Sequence, residues 1–266
     1  MIGRLTAATL VATAAPALAN DDAATATAPV RFGGLGPDGR AELAAEAMLG
    51  IPEDGDASVG MLVECQYAPA SGLGGYVRVY YGGADDRPSF SNFELGALYR
   101  VDRGAVALAV RGGVVMPTGD DHAETPQSAA VVRRPSDLVL GGIPAVALRV
   151  SAAPSYRRGN VVLRGDVGLD LVDDSDRGVD LVRDADDDPE VLYHVDLAAG
   201  FTRGRGAVML QTSAVGHAVH DRLSQAIALG GEYDLGEVRV TATVARPVFS
   251  DVAAIGAIAF GVSATL

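Results

Sequence analysis

The chain has 266 residues, 48% of them hydrophobic, and carries 21 Arg, no Lys and 34 Asp or Glu, a formal charge of −13. That balance excludes a phosphate-backbone ligand, which needs clustered basic groups, so no nucleic acid is expected as a partner. A single Cys excludes a disulfide framework and a Cys-based zinc site, and no apolar run of about 18–20 residues follows the N-terminus, which excludes a helical membrane protein but not a membrane barrel.

Residues 1–19, MIGRLTAATLVATAAPALA, place Arg4 ahead of a small apolar stretch that closes on Ala17-Leu18-Ala19, the pattern of a cleaved signal peptide. Export is therefore expected, and loss of Arg4 takes the charge of the mature chain to −14. Residues 20–40 are rich in Ala, Thr, Asp, Gly and Pro without periodicity and are predicted to form a flexible N-terminal arm. From residue 41 to 266 the period is two. Twelve strands are predicted, near 41–51, 58–67, 75–82, 90–101, 105–116, 143–156, 160–172, 191–202, 206–219, 223–235, 237–248 and 252–266. In the segment 237–248, Val238, Val240, Ala242 and Val244 alternate with Glu237, Arg239, Thr241 and Thr243; a helix would mix these sets, whereas a strand separates them.

The connections alternate in length. Asp102-Arg103-Gly104, Arg157-Arg158-Gly159, Arg203-Gly204-Arg205 and Gly236 read as tight turns, while residues 117–142 and 173–190 are long and polar. Short turns on one side and long loops on the other are the habit of outer-membrane barrels, and twelve strands put both strand termini on the short-turn side. The aromatics Tyr67, Tyr99, Tyr156, Phe201 and Tyr233 fall on outward positions toward that side, where amphipathic rings settle at a membrane interface; Tyr81, Phe93 and Tyr193 are the candidates for the other rim. The predicted fold class is all-β, a transmembrane antiparallel up-and-down barrel of a Gram-negative outer membrane, in contact with lipid and lipopolysaccharide. A periplasmic β-sandwich is the competing architecture.

With the apolar face toward lipid, the other face lines a lumen. Its predicted charges are Glu42, Glu46, Glu64, Glu94, Asp166, Asp170, Asp196, Glu232, Asp234 and Glu237 against Arg78, Arg100, Arg111, Arg149, Arg164 and Arg239. Such groups either tie to one another or shape the field of a conduit, whose excess of acids disfavours anions. Twelve strands about 4.8 Å apart and tilted about 40° close at a backbone radius of roughly 12 Å, a bore for small solutes rather than polymers. Inward Gly96, Ala107, Ala147, Gly168, Ala198, Ala226, Ala228 and Ala257 leave room for a path, or for a plug.

Residues 173–190 hold nine acids in eighteen positions. They are predicted to form a solvated external loop, and are candidates for divalent cations through carboxylate oxygens, although EF-hand spacing is absent. His194, Asp196 and His217 point inward near the long-loop side, with His220 beyond, and would be the base of a lumen-mouth hydrolase; no nucleophile elbow accompanies them. The reading is therefore a non-enzyme without a cofactor, either a passive channel or a closed structural or surface-interaction barrel. Cys65 is predicted to point outward as a small apolar residue.

The residues also resemble a known family. The stretch from Ala41 to Tyr67, the strand Phe93-Glu94-Leu95-Gly96-Ala97-Leu98-Tyr99-Arg100 and the strand end Val114-Val115-Met116-Pro117-Thr118-Gly119-Asp120 are similar to segments of proteobacterial outer-membrane barrels of the phenol meta-pathway transporter type. The resemblance covers most of residues 41–266. It implies a porter for small hydrophobic or aromatic compounds.

Overall fold

The computed structural model describes residues 41–53, 57–69, 71–83, 89–118, 133–141, 145–173, 190–218, 223–249 and 254–265. The expectations for the signal peptide, the N-terminal arm, His220 and most of the acidic stretch 173–190 lie outside these residues.

Period-two patterning produces twelve strands: β1 (Ala41–Pro52), β2 (Ser58–Tyr67), β3 (Leu73–Gly83), β4 (Ser89–Arg103), β5 (Val106–Pro117), β6 (Val146–Arg158), β7 (Val161–Asp173), β8 (Glu190–Arg203), β9 (Gly206–His217), β10 (Leu223–Asp234), β11 (Val238–Phe249) and β12 (Ala254–Thr265). Each pairs antiparallel with its sequence neighbours, and β1 closes on β12, so no edge is left open. Closure matters because an unpaired strand edge is not tolerated in hydrocarbon. The strands run 10 to 15 residues, enough to cross a bilayer when tilted. Among the described residues no helix is long and apolar enough to do so.

The tight turns work through glycine. Gly104, Gly159 and Gly204 sit at φ near +60° and Gly236 at +105°, a region a Cβ disfavours, and each lets a strand reverse within two or three residues. Register then fixes the faces. Along β10, Ile227, Leu229 and Tyr233 are exposed outward, whereas Ala226 and Ala228 are buried inward. Leu95, Val150, Leu169, Leu197, Leu210, Val244 and Phe260 continue the exposed apolar band around the barrel. Such a band is untenable in water and natural in lipid. Tyr67, Tyr99, Phe201 and Tyr233 stand exposed on the short-turn half, with Tyr156 half-exposed beside them. On the long-loop half, Tyr81 and Phe90 meet as a tilted pair, 5.0 Å between ring centroids.

The interior is filled by rings docked onto glycines. The side chain of Tyr76 lies where a Cβ on Gly96 or Gly113 would be, Tyr80 covers Gly60 and Gly82, and His194 covers Gly168. Gly96 and Gly168 thus accommodate aromatic rings instead of opening space, because a ring inside a barrel of this size needs a neighbouring strand without a side chain.

Candidate lumen constriction

The interior also holds a piece of the long β5–β6 connection. Sequence reading placed residues 117–142 outside the barrel as a polar loop; the structure instead brings residues 133–141 inside it. A 3-10 turn over Pro135–Asp137 leads into a single helical turn, α1 (Leu138–Gly141). Proline at the first position sets φ for the turn without forfeiting a hydrogen bond. The physical reason for the inward position is local: Leu138, Val139 and Leu140 are an apolar triplet, and all three are at most 3% exposed.

Two apolar clusters receive the triplet. Leu138 and Val139 pack with Val115, Ala145, Ala147, Val172, Leu192 and Val215. Leu140 packs with Met48, Leu62, Tyr80 and Ala259 on the opposite wall. The segment thus spans the bore. Asn92 Nδ2 donates to the Val139 carbonyl at 2.6 Å, satisfying one of the helical turn's carbonyls.

Beneath the triplet the ties are ionic. Arg78 uses all three guanidinium nitrogens on different carboxylates: Nε lies 3.3 Å from Glu64, Nη1 3.1 Å from Glu94 and Nη2 2.8 Å from Asp137. Arg149 holds Asp170 at 2.8 Å, lies 3.6 Å from Glu94 and 3.8 Å from Asp137, and donates to the Ser136 carbonyl. Arg134 reaches Asp196 at 3.2 Å and Asp137 at 3.6 Å. Ser136 Oγ donates to Asp196 at 2.7 Å, and its backbone N–H donates to Ser213 Oγ at 3.2 Å. Arg133 leans the other way, 3.3 Å from Glu46. Asp137 is outside the strands and fully enclosed. Burial works to raise its pKa, yet Arg134, Arg78 and Arg149 together hold it far below the ordinary carboxylate range.

The remaining lumen positions fall into place around this knot. Tyr76 OH donates to Glu94 at 2.7 Å, Arg111 stacks over the Tyr76 ring at 5.5 Å, and Gln66 bridges Arg111 at 3.1 Å to Glu42 at 2.9 Å. Toward the short-turn side Arg164 lies 3.7 Å from the Met209 sulfur, and Glu232 sits within electrostatic reach of Arg164 and Arg239. Two positions differ from the sequence reading. Arg100 is only partly buried and pairs at 2.7 Å with Asp102 beside the β4–β5 turn, so it borders the rim; Glu237 lies outside β11 in an exposed turn. Both fall too close to strand ends for alternation to carry them inside.

Sequence reading missed Arg133, Arg134, Ser136 and Asp137. The available signal was the apolar triplet Leu138–Leu140 inside an otherwise polar connection, preceded by a proline turn. Their inclusion changes the charge balance. With Glu237 and Arg100 outside and Asp137, Arg133 and Arg134 added, the expected ten acids and six arginines become ten and seven, a smaller excess of acids. Between Tyr76, Arg78, Glu94, Arg111, Arg149 and His194 a cavity of about 20 Å³ remains, room for about one water molecule.

His194, Asp196 and His217 do not form a relay. His194 lies 3.2 Å from Asp170 and 3.6 Å from Asp166, Asp196 is taken by Ser136 and Arg134, and His217 sits 3.3 Å from Glu190. Ser213 faces Ser136 rather than a histidine. Among the described residues no group of acids, His and Cys is arranged to hold a metal ion.

No family model and no curated protein matches the sequence. The structure, by contrast, has solved counterparts. It is similar to an outer membrane channel from Pseudomonas putida F1, with a TM-score of 0.66 at 9% identity over 90% of this chain and 99% of that one. It is also similar to the NanC porin, at a TM-score of 0.56, 9% identity and coverage of 85% and 100%, and to the KdgM porin, at 0.51, 9%, 84% and 99%. At such identities the likeness is one of fold. Closure on twelve strands, the apolar exterior and these counterparts define the chain as a β-barrel of the bacterial outer membrane, with the architecture found in channels and porins.

Proposed function

We propose that the protein is a narrow outer-membrane channel for passive passage of small molecules, with residues 133–141 as its constriction. The carrying observation is that this segment, tethered to β5 and β6, is fastened to the wall by ion pairs and hydrogen bonds from Arg78, Arg149, Asp196 and Ser213. A lumen built only for stability gains little from buried ion pairs over apolar packing, whereas a conduit needs polar walls. The resemblance of the Phe93–Arg100 and Val114–Asp120 stretches to transporters of the phenol meta-pathway type favours small aromatic or hydrophobic solutes, and Tyr76, which lines the internal cavity, would offer such solutes an aromatic edge. The acids that still outnumber arginines favour cations over anions. The acidic stretch 173–190 would meet divalent cations and lipopolysaccharide phosphates outside; a rise in thermal stability with calcium supports that reading, and an unchanged melting curve ends it.

The competing reading is a closed structural barrel, favoured by the small size of the cavity. Single-channel conductance of the refolded protein in planar bilayers, checked for folding by its heat-modifiable gel mobility, separates the two. Discrete cation-favouring steps support a channel. A heat-modifiable barrel without steps, in both wild type and an Asp137→Ala variant that loosens the constriction, overturns it.

A further inference from the structure

The lipid-facing surface has a hollow that the packing of the barrel does not require. It lies on the short-turn half of β8 to β12, occupies about 760 Å³, and is walled by Phe201, Tyr233 and Phe260. One row of paired residues makes its floor: Phe201 opposes Val208, Val208 opposes Gly231, Gly231 opposes Ala242, and Ala242 opposes Phe260. The two phenylalanines thus end a row whose three inner positions are Val208, Gly231 and Ala242, the last two small, so the hollow is deepest beside Phe260. Neither packing nor backbone demands the glycine. A Cβ on Gly231 would meet only the Ala207 carbonyl oxygen at 3.7 Å, an ordinary contact, and its φ is not in the left-handed region. One residue pair higher, the exterior returns to large side chains at Leu210, Leu229 and Val244.

Charge decides the occupant. Arg203 lines the hollow at its rim and is exposed, with no ion-pair partner among the described residues. Exposed Arg205 follows in the same turn, and exposed Arg158 and Arg103 stand at the next two turns along the sheet, each likewise without such a partner. The polar groups that border the hollow from the lumen side are Glu232 and Thr241, and Glu232 is half-buried within electrostatic reach of Arg164 and Arg239. An apolar trough opening on unpaired guanidinium groups at an interface matches one chemistry, an acyl chain with an anionic head. Arginines at a membrane surface attract anionic lipid, and a trough between protruding rings left empty in a bilayer forfeits dispersion contacts on every side.

We propose that this hollow is a binding site for one anionic glycerophospholipid of the inner leaflet, its chain between Phe201 and Phe260 and its phosphate on Arg203. Native mass spectrometry of the refolded protein, released from detergent after incubation with dioleoyl-phosphatidylglycerol or dioleoyl-phosphatidylcholine, tests it. The expected result is one retained phosphatidylglycerol per barrel, in about five-fold preference to phosphatidylcholine, which is what about 1 kcal/mol per arginine at the surface yields. Arg203→Glu, which removes the phosphate contact, and Gly231→Phe, which fills the trough, should each abolish that preference while heat-modifiable mobility stays unchanged. Equal retention of the two lipids by wild type overturns the proposal. So does phosphatidylglycerol retention that survives both substitutions, or a protein dimer lost in Gly231→Phe, which would give the trough to a second copy.

Discussion

Arg78 concentrates the energetics of the constriction in one side chain. Its three nitrogens neutralise Glu64, Glu94 and Asp137, all buried. Truncation leaves these three carboxylates to the longer contacts of Arg111, Arg134 and Arg149, at 3.6 to 3.8 Å, in a poorly hydrated space. Arg78→Ala should therefore destabilise the barrel by about 3 kcal/mol, the usual cost of orphaning a buried charge, measured as a lower urea midpoint for folding into lipid vesicles. Arg78→Lys should recover less than half of that, since an ammonium cannot serve three acceptors in a fork. Asp137 makes the matching case for pH. With its pKa depressed below the unfolded value of about 4, the stabilisation it gives the docked segment is fully present above that value. It is lost only as pH falls toward the much lower folded value. The difference between wild type and Asp137→Asn in protease resistance of residues 133–141 should stay constant from pH 8 to 5 and shrink below pH 4. Comparing the two at each pH isolates what Asp137 itself contributes. A difference that vanishes already at pH 6 would mean that another group holds the segment.

Strands and the inserted segment obey different rules, and the sequence reveals them unequally. A strand states its two faces every second residue, so β7, with Leu163, Val167 and Leu169 against Arg164, Asp166 and Asp170, is legible without any partner. All twelve strands fall within a few residues of their expected bounds for that reason, and Gly104, Gly159 and Gly204 mark their turns as plainly. Residues 133–141 are too short for a period, and what draws them inward is far away in the chain. Arg134 meets Asp196 across 62 positions and Asp137 meets Arg78 across 59. Neither separation leaves a local trace, which is why the lumen charges on strands could be named and those on the connection could not. The same faces set how substitutions act. Leu229, at the middle of β10, is 59% exposed toward lipid; Leu229→Arg should cost about 2–4 kcal/mol, as a charge at the bilayer midplane does. Ala228→Ser, one residue away and facing the lumen, should cost far less. Equal costs in vesicle-folding equilibria would contradict the assignment of faces.

At the scale of the molecule, the bore is set by two nested structures. The outer one is the cylinder of twelve strands, about 12 Å in backbone radius by the geometry of strand spacing and tilt. The inner one is the segment that crosses it from the Val115–Val172–Leu192 cluster to the Met48–Leu62–Tyr80 cluster. Only the first is needed for the barrel to fold, since each wall strand pairs with both of its neighbours and the ring closes without the segment. Replacing residues 135–140 by a Gly-Ser linker of equal length should therefore leave heat-modifiable mobility intact while enlarging the single-channel step by at least about three-fold, because conduction through a narrow filter follows the space at its tightest point. Selectivity should change in a defined direction if Arg133 and Arg134 are replaced as well. Two cations and Asp137 then leave the lumen, a net loss of one positive charge, and preference for potassium over chloride should rise. An enlarged step without that rise would place the selectivity on the wall, at Arg111, Arg164 and Arg239. An unchanged step would mean that the narrowest point lies elsewhere than residues 133–141.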